Sequence, residues 1–358
     1  MPRQASVDPS VGISRVLVVG LGSIGARHLR LGRTLLPEAT FAVLRSGTSP
    51  ATANEPADAD VRVLHSIDDA ITFAPTVAVI ASPSPFHAEA AARLAATGVH
   101  LLIEKPLADT LAAALRIRDV VAQAGVTVAV GYNLRFSPGL LAMRAALESQ
   151  RIGRVLSVRA EVGQYLPDWR PGRDYRDSVS AQQSLGGGVL LELSHEIDYL
   201  GWMFGVVSTV QATLVRTGAL EVDVEDCAHL VLGFTEPGGR ALHATLTMDF
   251  VRRDARRMCT VIGERGTLEW NAMLGTVRLF DGDAQGWQTL FDAPIERDAT
   301  YSAEWNDLAK CITSGATPRT SLEDGVRVLR VVEAAREAAR TGCVVTVRSG
   351  DDTCRGGG

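Results

Sequence analysis

Two stretches of this 358-residue chain carry residue types whose spacing could do chemistry. The first is Gly20-Leu-Gly-Ser-Ile-Gly25, a G-x-G-x-x-G run that follows the apolar stretch Arg15–Val19 and opens a helical pattern. In that context the first glycine permits a tight turn, the second lets a pyrophosphate approach the backbone, and the third lets the helix pack on the strand. Free N–H groups and the positive end of the helix dipole then face the phosphates, so Gly20, Gly22, Ser23, Ile24 and Gly25 are the predicted dinucleotide contacts. Arg27 and His28, early in this helix, oppose its dipole, which suits a nearby anion or, equally, a solvated surface. The second stretch is Ile103-Glu-Lys-Pro106, where Lys105, buried beside a cofactor, could have a lowered pKa and serve in proton transfer. Taken alone the tripeptide is a surface turn, and its X-Pro bond is expected trans, cis occurring in about one case in twenty.

A third stretch, Tyr165 to Arg176, reads as a binding loop. Tyr165, Trp169 and Tyr175 can stack on a sugar's apolar face, while Arg170, Arg173 and Arg176 can grip a carboxylate or phosphate. The alternative is an arm that packs on another subunit.

These groups need elements to position them. Up to about Gln150 the apolar runs Arg15–Val19, Phe41–Leu44, Val77–Ala81, Val99–Ile103 and Val126–Val130 alternate with helical patterns at Ile24–Leu36, His87–Thr97 and Thr110–Ala124. Continuous apolar strands separated by helices predict βαβ units, hence an α/β, doubly wound parallel sheet of Rossmann type over residues 15–150. Glu104 and Lys105 then lie at the carboxyl end of a strand, where open α/β sheets hold their ligands. The second strand ends at Leu44-Arg45-Ser46, with no acid to grip a ribose hydroxyl. Arg45 and Ser46 suit a 2′-phosphate, which favours NADP over NAD; a solvated Arg45 is the alternative. His87, at a helix start, is expected to line the dinucleotide, and Asn133 and Arg135, just past the last parallel strand, to reach the substrate with Tyr165, Trp169, Arg173 and Tyr175.

Beyond Gln150, often alternating strands joined by short turns such as Glu236-Pro-Gly-Gly239 predict an α+β domain over 151–348 with an open, mainly antiparallel sheet and helices on one side. Its helices are placed at Gly187–Met203, Ser302–Thr313 and Ser321–Thr341. Residues 1–14 and 349–358 read as flexible ends. His229 and His243 within strands read as structural, and Trp202, Trp270 and Trp305 as core.

Composition narrows the partners. A net charge of −5 and the lack of a Lys/Arg cluster argue against nucleic acid or membrane surfaces, which leaves a small molecule. The five cysteines, 227, 259, 311, 343 and 354, are scattered and form no Cys-x-x-Cys pair, so no metal site is expected. No leader pattern and no membrane-length apolar run is evident, which predicts a cytoplasmic protein. An open sheet needs a covered outer face, so a homodimer or homotetramer through the C-terminal sheet is expected.

The glycine turn, Ala81-Ser-Pro-Ser-Pro-Phe-His87, Glu104-Lys-Pro106, Gly131-Tyr-Asn-Leu-Arg-Phe136 and Gly186-Gly-Gly-Val-Leu-Leu-Glu-Leu-Ser-His-Glu-Ile-Asp198 occur together and in order. Their conjunction resembles the Gfo/Idh/MocA family of NAD(P)-dependent sugar and polyol oxidoreductases. The resemblance implies that Lys105 contacts nicotinamide and substrate, that His195 is an acid/base, and that Ser82, Pro83 and Glu104 lie at the cofactor. The usual family pattern has an Asp four residues before the His, whereas here Glu192 stands three before. Either spacing keeps both side chains on one helical face, so Glu192 retains a catalytic role in this reading, with Asp198 an equal candidate to orient His195. The implied reaction is hydride transfer between nicotinamide and the carbinol carbon of a sugar-like, acidic or nucleotide-linked substrate. The alternatives are an NAD-dependent glycoside hydrolase of the same fold and a non-catalytic NAD(P)-binding regulator.

Overall fold

A computed structural model describes residues 12–45, 60–235, 239–294, 296 and 298–348. In chain order the first elements are β1 (Arg15–Val19), α1 (Ser23–Leu35), β2 (Thr40–Leu44), β3 (Arg62–Leu64), α2 (Ile67–Phe73), β4 (Val77–Ile80), α3 (His87–Ala95), β5 (His100–Ile103), α4 (Leu111–Ala124) and β6 (Val128–Val130). Then come α5 (Pro138–Glu148), β7 (Val155–Gly163), α6 (Val189–Glu192), α7 (His195–Phe204), β8 (Val207–Val215), β9 (Cys227–Thr235) and β10 (Ala241–Asp249). The chain closes with β11 (Arg256–Gly263), β12 (Gly266–Asn271), β13 (Thr276–Asp281), β14 (Gly286–Asp292), α8 (Ala299–Ser314), α9 (Leu322–Thr341) and β15 (Val345–Thr346).

These elements divide into two units, Met1–Phe136 with Arg297–Val326, and Ser137–Glu296 with Arg327–Gly358. The first holds a six-stranded parallel sheet in the order β3-β2-β1-β4-β5-β6. Val77–Ile80 and Leu101–Ile103 are fully buried, as the continuous apolar runs require of strands covered on both faces. Strand order reverses between β1 and β4, the position at which open α/β sheets leave a crevice at their carboxyl ends. Both the glycine turn and Ser82 lie there.

The second unit holds a nine-stranded sheet in the order β14-β13-β12-β11-β7-β10-β9-β8-β15. Among the described residues of this sheet, only β7 and β10 pair in parallel. Alternation along β9 and β10 buries Ala228, Leu230, Leu232, Phe234, Leu242, Ala244 and Leu246 on one face and leaves His229, Val231 and His243 exposed on the other. Gly139 of α5 lets that helix come close to the sheet, since a Cβ there would stand 2.7 Å from the Trp270 indole nitrogen. No helix among the described residues is long and apolar enough to cross a membrane.

The structure departs from the sequence reading at several places, helices α2 and α5 among them, which the sequence reading does not place. The dividing line falls at Phe136, not Gln150, and α8 joins the first unit, where Trp305 bonds to His28. Strands β3, β14 and β15 were missed: each is a sheet edge, short or largely exposed, and so lacks an apolar signature. The single helix expected over Gly187–Met203 is two helices, broken at Leu193, whose backbone (φ −101, ψ 23) leaves the helical path. The expected Glu236–Gly239 turn falls largely outside the described residues, as do residues 1–11 of the expected flexible N-terminus and the whole of the expected tail, 349–358.

Candidate active site and dinucleotide seat

The glycine turn has three different local reasons for its three glycines. Gly20 has φ +87, and a Cβ on it would press to 2.9 Å from the Ser82 backbone. A Cβ on Gly25 would stand 2.0 Å from the Gly20 carbonyl oxygen, so only glycine lets α1 start so close to β1. A Cβ on Gly22 would meet no protein atom within 4 Å. Gly22 caps α1 without a side-chain bond, and the first turn of α1 carries no acid. The exposed Ser23 and half-buried Ile24 follow in that turn. A backbone closed on two sides and open on the third, with uncapped N–H groups and a favourable dipole, fits a dinucleotide pyrophosphate. Ser82 lies against this turn; Pro83 follows it and leads into a short 3-10 turn at Ser84–Phe86. Arg45, half-buried, directly follows β2, and Ser46 lies outside the described residues.

His87 is not a lining residue. It is 1% exposed, with Nε2 2.7 Å from the Ser82 carbonyl and Nδ1 3.1 Å from that of Pro106. A neutral ring has one N–H to donate, so it bonds either to the end of β4 or to the segment after β5, where the Lys105–Pro106 peptide is cis, against the expectation of trans. Burial pushes its imidazole below the usual 6.5, with the carbonyls and Glu104 pulling back only in part. The unfolded chain takes up a proton near 6.5 that the folded chain refuses, so this contribution is full above pH 6.5 and is lost as pH falls. One such group lowers stability by up to about 1.4 kcal/mol per pH unit. Glu304, whose carboxyl burial pushes well above 4.5, acts in the opposite sense as pH rises. The expected result is therefore comparative: between pH 7 and 5.5, wild type should lose more denaturant stability than His87→Gln. Equal losses would refute the account.

Glu104, 6% exposed, has a partner within the protein for each of its oxygens. Oε1 accepts from His28 Nε2 at 2.7 Å and Oε2 accepts from the Lys105 backbone N–H at 3.1 Å. Burial would push its carboxyl up, but His28 and Lys105 outweigh that and hold it below the usual 4.5. The carboxylate fills the space a side chain would take at Gly131, where a Cβ would stand 2.7 Å from Oε2. Lys105 is half-buried at the carboxyl end of β5. Asn133 and Arg135 are inward-facing too: Asn133 donates to Thr300 at 2.8 Å, and Arg135 pairs with Asp324 at 3.2 Å and donates to the Arg319 carbonyl. Both are about 5% exposed, so the expected substrate role gives way to bracing of the segment after β6.

His28 is the group whose place the sequence does not predict, and the bond that Trp305 gives it is one the sequence does not show. The sequence suggests an anion neighbour or solvated surface for His28; it is fully buried and accepts from Trp305 Nε1 at 3.1 Å. Its spacing from Ile24 and Leu31 places it on the apolar stripe of α1, a signal the sequence does contain. Trp305 is core, as expected, but its N–H has a task.

In the second unit His195 is the first residue of α7, half-buried, with Asp198 one turn on along the same helix. The break at Leu193 removes Glu192 from that helix, so the one-face argument fails for it; Glu192 Oε2 accepts from Ser180 at 3.1 Å. Next to His195, fully buried Glu196 pairs with Arg257 at 2.8 Å. The 165–185 segment is built of short 3-10 turns. The Arg253 guanidinium covers the Tyr165 ring at 3.6 Å, Trp169 packs edge-on against Phe250, and the Tyr175 hydroxyl accepts from the Glu221 N–H. Arg176 is committed to Asp174 and Glu221, whereas Arg170 and Arg173 are exposed.

Two family models match, an oxidoreductase family with an NAD-binding Rossmann fold over residues 14–132 and the GFO/IDH/MocA C-terminal domain over residues 140–269. The chain belongs to the Gfo/Idh/MocA family. It is an NAD(P)-dependent oxidoreductase. Among relatives, it is 30% identical over 349 residues to inositol 2-dehydrogenase 2 of Saccharopolyspora erythraea, covering 92% of this chain and 94% of that one. Its fold is that of levoglucosan dehydrogenase in complex with NADH and levoglucosan (TM-score 0.81, 23% identity, 94% of this chain, 100% of that one). It is shared too by the WlbA dehydrogenase from Bordetella pertussis in complex with NADH and UDP-GlcNAcA (TM-score 0.78, 22% identity, 94% and 98%).

Proposed function

We propose that this chain is a dehydrogenase or reductase of a sugar-like substrate, with Lys105 and His195 handling the proton of the reacting hydroxyl. The observation that carries the reading is the glycine turn, closed at Gly20 and Gly25 and open at Gly22, in the same unit as Lys105 at the end of β5. When bound, the nicotinamide cofactor accepts or supplies the hydride. The chain's own part is to seat phosphates on the N-terminus of α1, hold Lys105, and move a proton through Lys105 or His195. Asp198, not Glu192, is the carboxylate assigned to orient His195, because it shares α7 with it.

The relatives named for inositol and levoglucosan support a polyol or sugar substrate. Exposed Arg170 and Arg173, and the UDP-GlcNAcA of the Bordetella complex, support an acidic or nucleotide-linked sugar. The exposed face of the nine-stranded sheet, with Val231 between His229 and His243 in the β-ladder, supports a homodimer or homotetramer.

The test is turnover of polyols, aldoses and acidic sugars with NAD and NADP. Accumulating reduced nicotinamide supports the reading. Sugar release without it favours redox-assisted hydrolysis, and an absence of turnover across the panel favours a cofactor-binding regulator. Arg45 after β2, with no adjacent acid, supports a preference for NADP. Arg45→Ala is expected to lower kcat/KM for NADP by about 10- to 100-fold, the cost of one charge-assisted contact, and that for NAD far less. Equal losses for both cofactors would remove the preference.

A further inference from the structure

Inside the first unit, side chains from α8, α1 and the end of β5 form one buried chain of hydrogen bonds that ends on the Lys105 backbone. Trp305 is 2% exposed, His28 is fully buried and Glu104 is 6% exposed. The Trp305 indole donates to His28 Nδ1 at 3.1 Å, His28 Nε2 lies 2.7 Å from Glu104 Oε1, and Glu104 Oε2 receives the Lys105 N–H. We propose that Trp305, acting through His28 and Glu104, is a positioning residue for Lys105. This rests on the assignment of proton transfer to Lys105.

An indole N–H can only donate, so Nδ1 of His28 must be the acceptor and Nε2 must carry the proton. The ring can then only donate to Glu104. That fixes Oε1 and leaves Oε2 to hold the backbone from which the Lys105 side chain departs. The void at Gly131 receives the carboxylate, so it has no second resting place on that side. The other titratable groups around His28 are Tyr301, edge-on at 5.7 Å, Arg27, whose guanidinium lies over the Tyr301 ring, and Glu304 next to Trp305. Burial and the Glu104 charge push the Glu304 carboxyl well above the usual carboxylate range, which disfavours a second negative charge beside Glu104. His28 lies on the helix whose first turn offers the phosphate seat. One rigid element therefore serves both cofactor and Lys105.

Trp305→Phe keeps most of the ring and removes the donor. With Nδ1 open to a proton, kcat should fall about tenfold, as for the loss of an outer-shell partner. An ionisation absent from wild type should enter the pH profile of kcat, with cofactor affinity little changed. In Trp305→Phe/His28→Gln, an amide donates to Glu104 with no proton to place, so the extra ionisation should vanish and most of kcat return. Wild-type kcat and profile in Trp305→Phe, or a lowered melting temperature with no new ionisation, overturns the proposal. Should Trp305→Phe not fold, Glu104→Gln is read in the same assay: a tenfold loss in kcat with cofactor binding retained supports the proposal, and wild-type kcat overturns it. Failure of the underlying assignment is separate, because Lys105→Met with unimpaired turnover removes the proton role whatever Trp305 does.

Discussion

Lys105→Met is expected to lower kcat by about 10²- to 10⁴-fold, the usual worth of a positioned acid or base, while leaving the fold intact. Lys105 sits at the carboxyl end of a parallel strand, half-buried, on a backbone held by Glu104. Methionine preserves the length and the apolar stem but can neither give nor take a proton. The fold should survive because the buried partners, Glu104, His28 and Trp305, are untouched. Steady-state kinetics on a verified substrate, paired with a melting curve, decides the matter. A large fall in kcat with an unchanged melting temperature is the expected pair, and unchanged kcat would discard the proton role.

The second large effect separates two glycines three residues apart. Gly22→Asp is expected to fold normally yet lose cofactor affinity by at least about 100-fold, since a like charge facing the phosphates costs several kcal/mol. Nothing in the protein obstructs a side chain there. Gly25→Ala is expected to do the reverse of a clean binding defect. Its Cβ would stand 2.0 Å from the Gly20 oxygen, a backbone atom with no flexible tail to swing aside. The overpacking cost should reach or exceed about 3 kcal/mol, seen as a shifted denaturant midpoint. If both variants instead fold equally well and bind equally poorly, the division of labour within the turn is wrong.

Much of this fold is legible in the sequence. The parallel sheet announced itself because its strands are buried on both faces and read as unbroken apolar runs. The antiparallel sheet announced itself through alternation. Edge strands β3 and β14 escaped because exposure at an edge erases the pattern that burial writes. At the site, Gly20 and Gly25 were legible because each answers a local steric demand, whereas Gly22 meets no protein atom and its place in the turn rests on the motif alone. The direction in which Glu104, Asn133, Arg135 and His87 point was not. A polar residue beside a cleft and one bracing it from behind have the same letter, and only their partners tell them apart. Glu192 failed for another reason: the three-residue spacing argument presumes an unbroken helix, and Leu193 breaks it.

Gly131 leads to a last consequence. Its missing side chain and the Glu104 carboxylate occupy one volume, although the two positions lie on different strands' ends and 27 residues apart in sequence. Neither can change alone: a larger residue at 131 evicts the acid, and a shorter acid at 104 leaves a hole beside a buried histidine. The pair is thus a single packing unit. Any attempt to redesign this enzyme by recombining segments should keep β5 and β6 from the same parent.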